Sequence, residues 1–160
     1  MKRIKLYCYS KNDFDEVCRL NSWDDNNIPE DCAFISICGT EDCQEYYLKE
    51  SEPHYFKNCH HNVLNLNFDD IPKNTLKWKG ITFYGLSLDQ AEDIVNFVHN
   101  NLGKNFYIHC RAGKSRSQGV IRYILDSFPD YDFEERPENP CTTPNYDVTS
   151  KLKQIERNRK

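Results

Sequence analysis

Asn105-Phe106-Tyr107-Ile108-His109-Cys110-Arg111-Ala112-Gly113-Lys114-Ser115-Arg116-Ser117 carries more structural information than any other stretch of this chain. Asn105 to Ile108 is a strand-like run, and the segment from Ser117 through Leu125 has helical apolar spacing. A short turn containing Gly113 joins them, with Cys110 and Arg116 at its two ends. A strand that passes through such a turn directly into a helix belongs to α/β architecture. The N–H groups of the turn and the positive end of the helix dipole together make a cradle for a dianion. The same field favours a thiolate at Cys110, because cysteines at helix N-termini and beside cations ionise readily.

A bare Cys-x5-Arg pair is weak evidence. The chain has 8 Cys and as many Arg, so chance supplies such a pair with odds of roughly 0.4. Requiring also His109 directly before, Gly113 inside the turn and Ser117 directly after the arginine lowers that figure below about one in ten thousand. Gly113-Lys114-Ser115 also echoes the end of a nucleotide-binding P-loop. The leading glycine of that motif would fall at position 108, where this chain has Ile108, and the P-loop reading is rejected.

Working outward, Ile4 to Tyr9 alternates as a strand, and Phe14, Val17 and Cys18 are helically spaced within Asp13 to Leu20. Cys32 to Cys38 reads as a buried strand and Val63 to Phe68 as another. The acidic stretch from Glu41 to Glu52 predicts a short helix. Ser87-Leu88-Asp89-Gln90 forms a capping box, opening a helix whose buried stripe is Leu88, Ala91, Ile94, Val95 and Val98, with Gly103 ending it. Pro72 to Gly85 and Phe128 to Pro144 show no clean periodicity. Asp147 to Asn158 predicts an amphipathic helix with Val148, Leu152 and Ile155 inward and Lys151, Lys153, Arg157, Arg159 and Lys160 on a solvated face. Strand, helix, strand and anion loop in succession predict one α/β domain over residues 1–160. Its form is three-layered, with a central, mainly parallel, twisted sheet flanked by helices and a ligand at the carboxyl ends of the strands.

A net charge of −4 at 160 residues argues against nucleic-acid binding through bulk basicity. No apolar run is long enough to span a membrane and no signal peptide is evident, so a soluble, cytoplasmic protein is expected, with a monomer favoured. Most cysteines are expected to be thiols rather than disulfides. Cys38, Cys43, Cys59, His60 and His61 are close in sequence, but they lack the paired spacing of a zinc knuckle, and no metal is expected.

His109-Cys110-x5-Arg116-Ser117 resembles the signature of the cysteine-dependent protein tyrosine phosphatase superfamily, and the chain is similar in size to its compact dual-specificity branch. The resemblance implies that Cys110 is a nucleophile accepting the phosphoryl group. It implies that Arg116 holds two equatorial oxygens in a fork that lysine does not reproduce. The amides of Arg111, Ala112, Gly113, Lys114, Ser115 and Arg116 would line the cradle. Ser117 would hydrogen-bond the departing thiolate, and His109 would brace the turn from behind and help keep Cys110 ionised. No cofactor is implied, and the partner is a phosphoprotein substrate.

Phosphoryl transfer also needs a proton donor for the leaving oxygen. In the family this is an aspartate on a loop well before the cysteine. Here Phe68-Asp69-Asp70-Ile71-Pro72 offers two candidates after a strand-like run. The family pattern aligns Asp70 with the acid and leaves Asp69 as its supporting neighbour. Two other readings stay open. Arg111 and Lys114 resemble the extra cations of phosphoinositide phosphatases and suit a multiply phosphorylated ring or the 5′-triphosphate of RNA. A catalytically silent phospho-binding module is the reading from another class, although the chain keeps a candidate nucleophile, arginine and acid.

Overall fold

The computed structural model describes residues 3–40, 53–134 and 143–159. Its frame is a five-stranded, wholly parallel sheet. The strands are β1 (Ile4–Ser10), β2 (Cys32–Cys38), β3 (Val63–Asn67), β6 (Asn105–Cys110) and β7 (Tyr131–Glu134), in the order β3-β2-β6-β1-β7. Parallel pairing needs crossovers, and these are the helices α1 (Lys11–Leu20), α2 (Leu88–Asn100) and α3 (Arg116–Ser127), with α4 (Tyr146–Arg157) added at the end. Among the described residues no helix is long and apolar enough to cross a membrane.

Period-two alternation sorts each strand between two cores. Leu6 and Cys8 of β1, Ala33, Ile35 and Ile37 of β2, and Phe106, Ile108 and Cys110 of β6 face the cluster built with α2, α3 and α4. Tyr9, Phe34 and Tyr107 face a second cluster, largely aromatic, closed by Phe14 and Cys18 of α1. Sheet, α1 layer and three-helix layer together make the expected three-layer α/β fold. Because β6 is the middle strand, its carboxyl end is flanked on both sides: Cys110 pairs with Ser10 of β1, and His109 with Ser36 of β2.

Three stretches differ from their sequence-based reading. Thr75–Trp78 (β4) and Ile81–Tyr84 (β5) form an antiparallel hairpin inside the region that lacked periodicity. Lys79 (φ 51) and Gly80 (φ 79) make its two-residue turn, with positive φ at both central residues as a type I′ turn requires. The hairpin is mostly exposed and so leaves no buried face to create a pattern. Strand β7 was also missed, being only four residues long. It is held at the sheet edge by Arg3–Asp132 at 2.7 Å and Lys5–Glu134 at 3.3 Å. Leu88 is 54% exposed; it occupies the first helical position, directly after the Ser87 N-cap. The other stripe residues, Ala91, Ile94, Val95 and Val98, are buried.

The solvated face assigned to the last helix also needs correction. Lys151 Nζ donates to Asn74 Oδ1 at 2.6 Å, to Leu86 O at 2.7 Å and to Asp147 at 2.8 Å, tying α4 to the loop before α2. Lys160 and the predicted helix over 41–52 lie outside the described residues.

Candidate active site

Strand β6 ends at Cys110 and α3 begins at Arg116, so the intervening loop is a single chain reversal at the carboxyl edge of the sheet. It turns at Gly113, whose φ of +71 is a left-handed value that a side chain would strain. Ser115 is the N-cap of α3, but its side chain makes no cap bond. Its hydroxyl instead donates to Asp70 Oδ1 at 2.7 Å. The first-turn amides of α3, which need an acceptor, therefore receive none from the capping side chain.

Cys110 sits at the floor of this loop, 2% exposed, with its Sγ 3.1 Å from Ser117 Oγ. Cys8 Sγ on β1 donates to the same hydroxyl at 3.1 Å and also reaches Gly113 O at 3.4 Å. Cys8 has one thiol hydrogen for these two acceptors, and the Ser117 hydroxyl lies within hydrogen-bond reach of both sulfurs. Arg116 is 8% exposed; its Nη1 donates to Phe68 O at 2.8 Å, and its Nε is buried with no partner among the described residues. A buried guanidinium donor left unmade is costly unless an acceptor arrives. Gln118 Nε2 holds Gly113 O at 3.2 Å from inside α3.

Behind the loop His109 is fully buried, packed 4.3 Å from the Phe14 ring. Burial pushes its titration down to about 3, so it is neutral near pH 7. It therefore supplies no positive charge to Cys110, and its contribution is bracing. With Nδ1–H donating to Cys110 O at 3.3 Å, Nε2 accepts from Ser36 Oγ at 2.6 Å. Ser36 Oγ lies in turn 2.7 Å from His54 Nδ1. Lys11, buried at the start of α1, adds a support that the sequence reading missed. Its amide donates to Arg111 O at 3.2 Å while its ammonium pairs with Asp15 at 2.6 Å.

The two aspartates are treated differently. Asp69 is 2% exposed, and its carboxylate accepts from Thr40 N at 2.9 Å, Thr40 Oγ1 at 2.7 Å and Tyr84 N at 2.8 Å. Three donors hold it as a staple between the end of β2, the hairpin and the loop after β3. Asp70 is exposed at the loop rim and lines a cleft of about 520 Å³ with Ser115, Asn145 and Tyr146. Of the two aspartates, Asp70 is the one open to that cleft. Arg111, Ala112 and Lys114 lie exposed along the mouth.

Cysteines elsewhere are differently placed. Burial pushes Cys18 and Cys32 up to about 12, which keeps them as inert thiols. Cys59 is exposed, and its neighbours His60 and His61 point to separate carboxylates, Asp25 and Glu30. Among the described residues no group of three or more His, Cys, Asp or Glu has the makings of a metal site; Cys43 lies outside them.

Compared with protein families, with curated proteins and with solved structures, the chain finds no match.

Proposed function

We propose that this protein is a phosphoric monoester hydrolase that removes phosphate from phosphotyrosine, with phosphoserine and phosphothreonine as further substrates, through a cysteinyl-phosphate intermediate. One observation carries the reading: a buried arginine whose Nε–H has no hydrogen-bond partner among the described residues closes the same loop that holds Cys110 beside a hydroxyl. The sulfur attacks phosphorus, the ester P–O bond breaks, and the leaving oxygen takes its proton from Asp70. Asp70, now a carboxylate, takes a proton from water as that water attacks phosphorus. The S–P bond breaks, inorganic phosphate departs, and the Ser117 hydroxyl stabilises the sulfur as it leaves. Arg116 and the loop amides hold the equatorial oxygens throughout, which is most of what phosphoryl transfer asks of a protein.

The test is phosphate release from an aryl phosphate, with orthovanadate as competitor. Wild-type protein turns over and vanadate blocks it, while Cys110→Ser falls to background. Undiminished activity in Cys110→Ser rules the mechanism out. The exposed Arg111 and Lys114 at the loop mouth support a second substrate class, multiply phosphorylated inositols or 5′-triphosphorylated RNA, by the same chemistry. Measuring these beside phosphotyrosine peptides under one set of conditions ranks the classes by kcat/KM.

A further inference from the structure

Asn145 joins three elements that would have to keep register during turnover. Its backbone N–H donates to Ser115 O in the anion loop at 2.9 Å. Its side-chain Nδ2 donates both hydrogens, one to Asp70 Oδ1 at 2.9 Å and one to Ile71 O at 3.1 Å. Its Oδ1 caps α4 by accepting from Val148 N at 3.2 Å. Every hydrogen-bonding capacity of the amide nitrogen is thus spent on the loop that carries Asp70. The residue is buried, 9% exposed, and is held in place from α3. A Cβ at Gly119 would come within 2.7 Å of Asn145 O and 2.9 Å of Val148 Cβ, so only glycine lets α3 approach this closely. Thr149, one turn into α4, fastens the approach with a 2.8 Å bond to Gly119 O.

The consequence lies in how Asp70 is engaged. Asn145 Nδ2 and Ser115 Oγ both donate to the same oxygen, Oδ1, while among the described residues Oδ2 accepts no hydrogen bond. A carboxylic acid held through one oxygen carries its proton on the other. We propose that Asn145 is a positioning residue for the proton donor: by occupying Oδ1 and fixing Ile71 O, it presents Asp70 Oδ2 to the leaving oxygen. This rests on the hydrolase reading above and extends it to a residue 75 positions from the aspartate it orients.

Proton donation matters in proportion to the basicity of the leaving group. Phenyl phosphate needs the proton, whereas dinitrophenyl phosphate departs readily as the anion. Asn145→Ser keeps a helix cap but is too short to reach Asp70, and Asn145→Asp keeps both cap and shape while replacing the donor with an acceptor. Thermal melting checks that each variant folds. Both variants are expected to lose about tenfold in kcat/KM on phenyl phosphate, with almost no change on dinitrophenyl phosphate. Asp70→Ala is expected to show the same selectivity, more strongly. Equal losses on the two esters, or none on either, overturn the positioning role, because a merely structural residue does not distinguish leaving groups. Wild-type protein that releases phosphate from neither ester overturns the hydrolase reading itself. Selective loss in Asp70→Ala without it in the Asn145 variants overturns the positioning role alone.

Discussion

The floor of the Cys110–Arg116 loop and the rim of the neighbouring cleft are built on different principles. At the floor Cys110, His109, Arg116 and Ser117 are all buried, attached to the central strand and the helix leaving it, and braced by Ser36, Cys8 and Gln118. At the rim Asp70 is exposed, held by two side-chain hydrogen bonds and flanked by residues of the loop before α4. Phe68 and Asp69 join the two regions. The Phe68 carbonyl takes an Arg116 hydrogen bond, and the Asp69 carboxylate is sealed by Thr40 and Tyr84. Adjacent carboxylates have thus been divided, one spent on architecture and the other left exposed. The contrast teaches that the floor cannot be altered without touching the core, whereas the rim can.

The largest effect should come from the floor. Arg116→Lys keeps the charge but loses both the Phe68 O contact and the forked donors. Phosphate release should fall by about 10²–10³-fold, a cost comparable to removing one oxyanion donor. A lysine variant within about twofold of wild type would mean that the guanidinium geometry is not used.

At the rim the two aspartates should separate cleanly. Asp70→Ala should lower kcat by about 10²-fold or more while leaving the unfolding midpoint almost unchanged. Asp69→Ala strands the Thr40 and Tyr84 donors and should cost about 2–3 kcal/mol in denaturant unfolding. The reverse pattern would exchange their roles. Comparing unfolding curves with turnover on the same samples decides it.

A pH-dependent effect concerns the brace behind the floor. His109 titrates near 6.5 when unfolded and is pushed down to about 3 by burial. Its folded form binds fewer protons, so its burial weakens the fold progressively as pH falls from about 6.5 toward 3. The slope approaches about 1.4 kcal/mol per pH unit. His109→Asn removes that titration, and the stability gap between wild type and variant should narrow on acidification. Parallel slopes for the two proteins in urea unfolding at pH 7, 5 and 4 would show that the imidazole titrates normally.

Much of this molecule was legible in order of amino acids because its decisive part is local. The strand, turn and helix from Asn105 to Leu125 form one continuous piece of chain, so motif spacing, apolar alternation and glycine placement all refer to neighbours. The buried strands and the Ser87 capping box were equally readable, since each is set by its own residues. The hairpin and β7 were not, because their stability comes from partners elsewhere rather than from a buried face of their own.

The sequence by itself determined which groups are available: a cysteine and an arginine at the ends of one tight turn, and a pair of aspartates after a strand. Only the tertiary structure decided which aspartate is buried and which exposed, that His109 is a neutral brace rather than a charge, and that Asn145, Lys11, Cys8 and Gln118 hold the loops. The physical reason is that orientation and desolvation are not properties of adjacent residues. They are imposed by donors and packing surfaces that folding brings from distant parts of the chain.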